Sequence, residues 1–326
     1  MTGVQTCALP IYSDTPSPKR LGTVTSLDPE FFLGVDEIAD ELLGGKSSGK
    51  YSPAWVAAQL DDAAEKALTQ LKRAKSKTRD PQSPDFRRLA QDVAIQAGLG
   101  KFFAAKFRAG VLFAIYSRTH HRGTLGMALE TNRASRAAWA ELANAAKGVY
   151  RGDITFGPEY FQRGHWLDRL PAMDADIADM EKLMAQFNAN SPAQIKMEAR
   201  IIENAMRAVF AKPLPIVAHI FAGLHVPPPS FHRGKPLEIL AQAPQSAGVA
   251  GMNLRYRRVN QAEAWQETKM EKAGEAFRAV IAAEYADSPF PLQYYFQLRA
   301  DAGRAWLHPG LNPGWQGQPY FVVRQA

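Results

Sequence analysis

The hydrophobic period changes once along this sequence, and that change limits the fold more than any motif does. From Ser52 to about Val209 apolar residues recur every three to four positions, as on one face of an α-helix. After Pro236 they alternate every second position, as on one face of a β-strand. A segment with one period cannot hold its apolar face to a core in the other geometry, so the two parts are expected to fold differently. Between them lies "AKPLPIVAHIFAGLHVPPPSFHRGKP", which holds six of the 22 prolines and cannot continue a helix.

The helical half has clear punctuation. Ser52-Pro53 pairs an N-cap residue with proline at the first helical position, and Ser83-Pro84 repeats it. The first start leads the stripe Val56, Leu60, Ala63, Ala67 and Leu71. The second leads a longer helix to about Thr119, with Leu89, Val93, Leu99, Phe103, Phe107, Val111 and Ile115 over much of its circumference. Its Gly98, Gly100, Ala104 and Gly110 would let a neighbour approach closely. A third helix is expected over about Thr124–Val149, a fourth from Pro171, and a fifth from Ser191-Pro192 through Val209. Five facing stripes predict a helical bundle over 51–210, after a partly helical segment at 12–50.

The remainder divides into a proline-rich connector at 211–235 and a β domain at 236–326. Met252, Leu254 and Tyr256 alternate with polar residues, as do Phe277, Ala279 and Ile281. Leu292, Tyr294, Phe296 and Leu298 give the cleanest alternation, and Phe321 and Val323 close the series. Asp301-Ala302-Gly303 reads as a hairpin turn. Roughly seven short strands with frequent turns predict an antiparallel, immunoglobulin-like β-sandwich. The fold class is therefore multidomain, all-α followed by all-β.

The opening "MTGVQTCALPI" has no charge and no amphipathic period, and it matches the conceptual translation of a common sequencing adapter. Residues 1–11 are therefore expected to be an artefact. They hold Cys7, the only cysteine, so disulfides, cysteine-based zinc sites and thiol nucleophiles drop out. On this expectation the chain is the C-terminal portion of a longer protein, and the compartment stays open.

Charge and motifs exclude further classes. The net charge of +7 is spread thinly, with 29 basic and 24 acidic residues over 12–234 and 10 and 8 over 235–326. The densest basic run, Leu71–Arg79, sits where a helix ends and cations favour the dipole. Nucleic acid is thus not the expected partner. No stretch approaches the roughly 18 apolar residues of a membrane span. "GGKSSGKY" (Gly44–Tyr51) resembles a phosphate loop, but Tyr51 stands where a magnesium-binding hydroxyl belongs, and a helix precedes it where a strand is required. It reads as a glycine-rich helix end. The seven histidines show no metal spacing. His120-His121 falls in a helix–helix turn, and His225 and His232 in the connector read as surface residues. No cofactor or metal is implied.

Two places could carry chemistry. Gly152–Lys182 holds Glu159, Asp168, Asp174, Asp176 and Asp179 beside Arg163, His165, Trp166 and Arg169. Acid–base hydrolysis of a glycoside needs two carboxylates roughly 5–9.5 Å apart. The catalytic candidates are His165, Asp168 and Arg169; the alternative is a buried Arg–Asp pair that merely fixes the loop. In the β domain Trp265, Trp306, Trp315 and Tyr320 are candidates for a sugar-stacking platform. Trp306 is expected to be core, which leaves Trp315 and Tyr320 as the ligand-binding pair.

"KFFAAKFRAGVLFAIYSRT", "AAWAELANAAKGVYRGDITFG", "RGHWLDRLPAMDADIADMEK", "LRYRRVNQAEAWQ", "DSPFPLQYYFQL" and "QPYFVVRQA" together resemble the C-terminal region of large bacterial multidomain proteins described as glycoside-hydrolase-like. The resemblance covers nearly all of 28–326 and maps no catalytic residue onto this chain. It implies a non-catalytic accessory portion: a helical bundle that supports an upstream domain, and a sandwich that either packs on it or contacts carbohydrate. Two other functions stay open. One is a helical interaction module, since "AIYSRTHHRGTLGMALETNRASRAAWAEL" has the look of tetratricopeptide hairpins without their 34-residue period. The other is a small hydrolase using the Arg163–Asp179 loop.

Overall fold

The computed structural model describes residues 18, 19, 21–23, 26, 28–153, 163–187, 198–211, 223–242, 248–300, 303–311 and 317–326. The chain divides into two compact units. One comprises Met1–Gly44 and Tyr51–Pro213, and the other Gly45–Lys50 and Leu214–Ala326.

The first unit is helical. Its described helices are α1 (Val35–Gly44), α2 (Pro53–Lys77), α3 (Pro84–Thr119), α4 (Arg122–Ala146), α5 (Leu170–Ala185) and α6 (Ala199–Phe210). Ser52 caps α2 as its sequence demands, its Oγ accepting from the Trp55 N–H at 3.0 Å. Ser83 leaves α3 uncapped; its hydroxyl donates to the Asp80 carbonyl at 3.0 Å. The expected fifth helix is seen from Ala199, and its start at Ser191-Pro192 lies outside the described residues.

α3 is the central element, packed along α2 and α4. The small residues do what their size allows: a Cβ on Gly98 would stand 2.8 Å from the Leu142 Cβ of α4, and one on Gly100 3.3 Å from the Leu60 carbonyl of α2. Part of the expected α3 stripe is wrong, however. Leu89 is 58% exposed because the first turns of α3 extend past the core, which starts near Ile95. The turn between α3 and α4 uses both histidines. His120 takes a left-handed backbone (φ 51°) to end α3, and the His121 Nδ1 accepts from the Thr124 N–H at 3.2 Å to start α4.

The helical core has two parts. Phe102, Trp139, Leu142 and Ala143 form one; Leu112, Ile115, Leu125, Met180, Ile202 and Val209 anchor the other. Full burial of each large side chain contributes roughly 1.5–3 kcal/mol.

The second unit is built on two sheets. Its described strands are β1 (Ser230–Phe231), β2 (Leu237–Gln242), β3 (Val249–Arg258), β4 (Gln266–Lys269), β5 (Glu271–Ala273), β6 (Ala276–Ile281), β7 (Leu292–Ala300), β8 (Ala305–His308) and β9 (Phe321–Gln325), with one short helix, α7 (Ala283–Ala286). The larger sheet runs β1-β9-β7-β3-β4 with β8 on β7, and the smaller runs β2-β6-β5. Ile239, Phe277 and Ile281 from the smaller sheet join Leu254, Tyr294, Phe296, Leu298 and Val323 from the larger in one buried cluster. The predicted inward residues thus meet in a shared core. Asp301-Ala302 lie outside the described residues, but β7 and β8 pair as the expected hairpin, Leu298 opposite Trp306. Trp306 is half-buried against that core.

Three features depart from the sequence reading. β1 pairs with β9 in parallel, so the larger sheet is not purely antiparallel; a proline-rich approach suits an edge strand, where missing N–H groups cost least. The connector's described second half belongs to this unit: Leu224 and Phe231 are core residues, and the Gln242 N–H donates to the Leu224 carbonyl at 2.7 Å. Its Ile216–Phe221 patch lies outside the described residues. Finally, Gly45–Lys50 is more than a helix end. The Ser47 N–H donates to the Gly303 carbonyl at 2.9 Å, and the Gln297 amide to the Ser48 carbonyl at 2.8 Å. Gly49 (φ 82°) lies so close that a Cβ would stand 2.7 Å from the Trp306 backbone nitrogen.

Candidate functional site

The helical unit's candidates assemble, but into a turn-capping device. The stretch Trp166–Arg169 forms a 3-10 turn with a capping box at its start. The His165 Nδ1 accepts from the Leu167 N–H at 3.1 Å, and the Asp168 carboxylate accepts from the His165 N–H at 2.7 Å. Arg169 donates to the Arg163 carbonyl, and Asp153 accepts from the Gly164 N–H at 3.0 Å. The indole N–H of Trp139, on α4, donates to the Trp166 carbonyl at 2.7 Å and pins the turn to the helical core.

This arrangement limits the chemistry. With Nδ1 accepting, neutral His165 carries its proton on Nε2, which is buried and has no hydrogen-bond partner among the described residues. The lone pair a general base would use is already taken by the backbone. Among the described residues Asp168 pairs with no arginine, and side chain–backbone bonds fix the turn. Asp174 is held by the fork of Arg136 at 2.8 and 3.0 Å, which keeps its carboxyl below the usual range. Asp179 pairs with Lys182 at 3.2 Å. Asp176 acts electrostatically on Lys106, a buried lysine of α3 whose burial pushes it down to about 8. Glu159 lies outside the described residues.

The second candidate is the outward face of the larger sheet, where strand register does the positioning. Arg257 of β3 lies opposite Gln293 of β7, which lies opposite Val322 of β9. One step along, Glu267 of β4, Arg255 and Tyr295 form the next row. All these side chains share the face away from the core, since their neighbours Leu254, Tyr256, Tyr294 and Phe296 point into it. Trp265, just before β4, packs edge-on to Tyr295 at 5.2 Å and stands 6.3 Å from Tyr320, just before β9. The Arg257 guanidinium lies over the Trp265 ring, 4.6 Å from its centroid. Trp265, Tyr320 and Arg257 are half-exposed, and Tyr295 is buried beneath them. The structure therefore joins Tyr320 and Trp265 in one patch, while Trp315 lies outside the described residues.

Sequence reasoning missed a third cluster, inside the core. His225 is half-buried, with both ring nitrogens engaged, and is not the surface residue expected of a connector. Its Nδ1–H donates to the Leu240 carbonyl at 2.6 Å, so Nε2 accepts from the Tyr294 hydroxyl, also at 2.6 Å. Phe296 and Phe321 meet this ring edge-on, and His308 stacks on Phe296 and lies tilted to Phe321. Burial, with the His225 charge added, pushes His308 down to about 4. The signal available in sequence was the alternation placing Tyr294 inside. Nothing in the spacing couples it to a histidine 69 positions away.

Among the described residues no group of histidines and acids has metal-binding geometry, and no helix is long and apolar enough to cross a membrane. The helical unit carries a shallow groove of about 450 Å³ where Met127 of α4 faces Met206 and Phe210 of α6. Set against known proteins, the chain matches no family model, no curated protein and no solved structure.

Proposed function

We propose that this chain is a non-catalytic accessory part of a larger bacterial carbohydrate-active protein. In this reading the helical unit buttresses an upstream domain. The two-sheet unit is an immunoglobulin-like sandwich that touches glycan. The observation that carries it is the patch of Trp265, Tyr320 and Arg257 on the outward sheet face, where aromatic rings and planar donors lie side by side over a buried Tyr295. Rings supply apolar contact to sugar C–H faces, and fixed N–H groups orient hydroxyl or acidic substituents. In the helical unit the catalytic candidates are spent on closing a turn, which supports a structural role there.

Affinity electrophoresis of the full chain through gels containing hydroxyethylcellulose, xylan, soluble chitin or polygalacturonate tests the reading. At least one polymer should retard the protein, and Tyr320→Ala should weaken that retardation. Equal mobility in all four gels would refute it.

A further inference from the structure

The sign of the charge on this face allows a narrower statement, which rests on the reading just given. Register places Arg255 and Arg257 of β3, Lys269 and Glu267 of β4, and Arg299 of β7 on one face. With Arg324 of β9, two positions on from outward Val322, five cations of the described strands thus share it with one carboxylate, which is engaged by Arg255 at the side of the patch. Arg257 has no carboxylate partner among the described residues; neighbouring Glu263 is taken by Arg258 and the Tyr285 hydroxyl.

Arg257 is nevertheless held firmly. Its Nη1 donates to the Glu263 carbonyl at 3.3 Å. With the Gln293 amide oxygen turned toward the guanidinium, that oxygen accepts from Nη2 at 3.2 Å and from Nε. The indole of Trp265 supports the plane from one side. What remains is a fixed, half-exposed fork with N–H groups to spare and no counter-charge among the described residues. That arrangement fits a planar carboxylate.

The same geometry disfavours two other ligands. A neutral sugar would leave the Arg257 charge unmatched, and single-stranded nucleic acid needs a run of bare ring faces for stacking. Here the guanidinium covers a face of Trp265, and Tyr295 is 2% exposed. We infer that the outward face of the larger sheet binds a carboxylate-bearing polysaccharide, a polymer of uronic acids, with Arg257 as the residue that selects the carboxylate.

The test compares polygalacturonate, hydroxyethylcellulose and poly(U) as ligands for the full chain, with wild type, Arg257→Gln and Arg257→Lys. Polygalacturonate should bind the wild type, weakening as salt rises, and the neutral polymer should bind at least about tenfold more weakly. Arg257→Gln should lose about tenfold on polygalacturonate, with the urea midpoint unchanged. Arg257→Lys keeps the charge without the fork and should fall between; it serves as the comparison if the Gln variant shifts the midpoint. Equal binding of neutral and acidic polymers, or wild-type affinity in both variants, would overturn the inference while leaving glycan contact standing. Tighter binding of poly(U) would overturn it in favour of nucleic acid. Absence of binding to every polymer would remove both readings.

Discussion

Mild acid should weaken the two-sheet unit through His308 and His225. Both rings lie among Tyr294, Phe296 and Phe321, and Tyr294 is fully buried. Protonating His225 would turn its Nε2 into a donor facing a hydroxyl that now donates to it, so the Tyr294 proton would lose its acceptor. Protonating His308 would place a charge in the same apolar cluster, close to His225. An unfolded histidine takes up its proton near 6.5, whereas folded His308 resists until about 4. Between those values the unfolded chain binds more protons, so stability is present above about pH 6.5 and is lost as pH falls. At about 1.4 kcal/mol per pH unit, the gap sets a ceiling near 3 kcal/mol for His308, trimmed by its partial exposure. Depressed carboxyls such as Asp40 and Asp174 contribute their loss only below about pH 4, outside this window. Urea unfolding followed by tryptophan fluorescence from pH 7.5 to 4.5 reads the effect. The wild type should lose about 1–2 kcal/mol over that range, and His308→Phe distinctly less. Parallel pH profiles for the two proteins, or a flat wild-type profile, would refute the argument.

Three further outcomes follow from the helical unit. Lys106 is held neutral more readily than a free lysine, so wild-type stability should rise between pH 8 and 9.5, and Lys106→Met should abolish that rise in urea titrations. Gly98→Ala should cost about 1–3 kcal/mol despite the better helix propensity, because Leu142 is packed against that site, whereas Gly44→Ala, with nothing within 4 Å, should be neutral or stabilising in thermal melts. Asp168→Ala should cost about 1 kcal/mol, and Asp168→Asn should recover most of it, since the carboxylate serves as an acceptor for the His165 N–H; failure of Asn to rescue would point to a need for the charge itself.

Periodicity and caps decided a good deal without any tertiary information. Ser52-Pro53 starts a helix because a side-chain acceptor and a preset φ favour the first turn in any context. Leu292, Tyr294, Phe296 and Leu298 lie inside because side chains on a strand alternate and only one set can face a core. These are local properties, and they placed a helical part ahead of a β part along the chain, but not the share of the connector and of Gly45–Lys50 that packs with the β part. The same locality explains what stayed hidden. His225 reads as a connector residue until β2 brings the Leu240 carbonyl and β7 brings Tyr294 to its two nitrogens. His165 and Asp168 read as catalytic until the turn spends both on its own backbone. Arg257 becomes a distinctive cation only when register sets Gln293 beside it, Trp265 beneath it and no acid opposite. Propensity acts over a few neighbouring residues, whereas many hydrogen-bond partners, burial and uncompensated charge are set by groups as far as 69 positions apart, and only the packed chain brings those together.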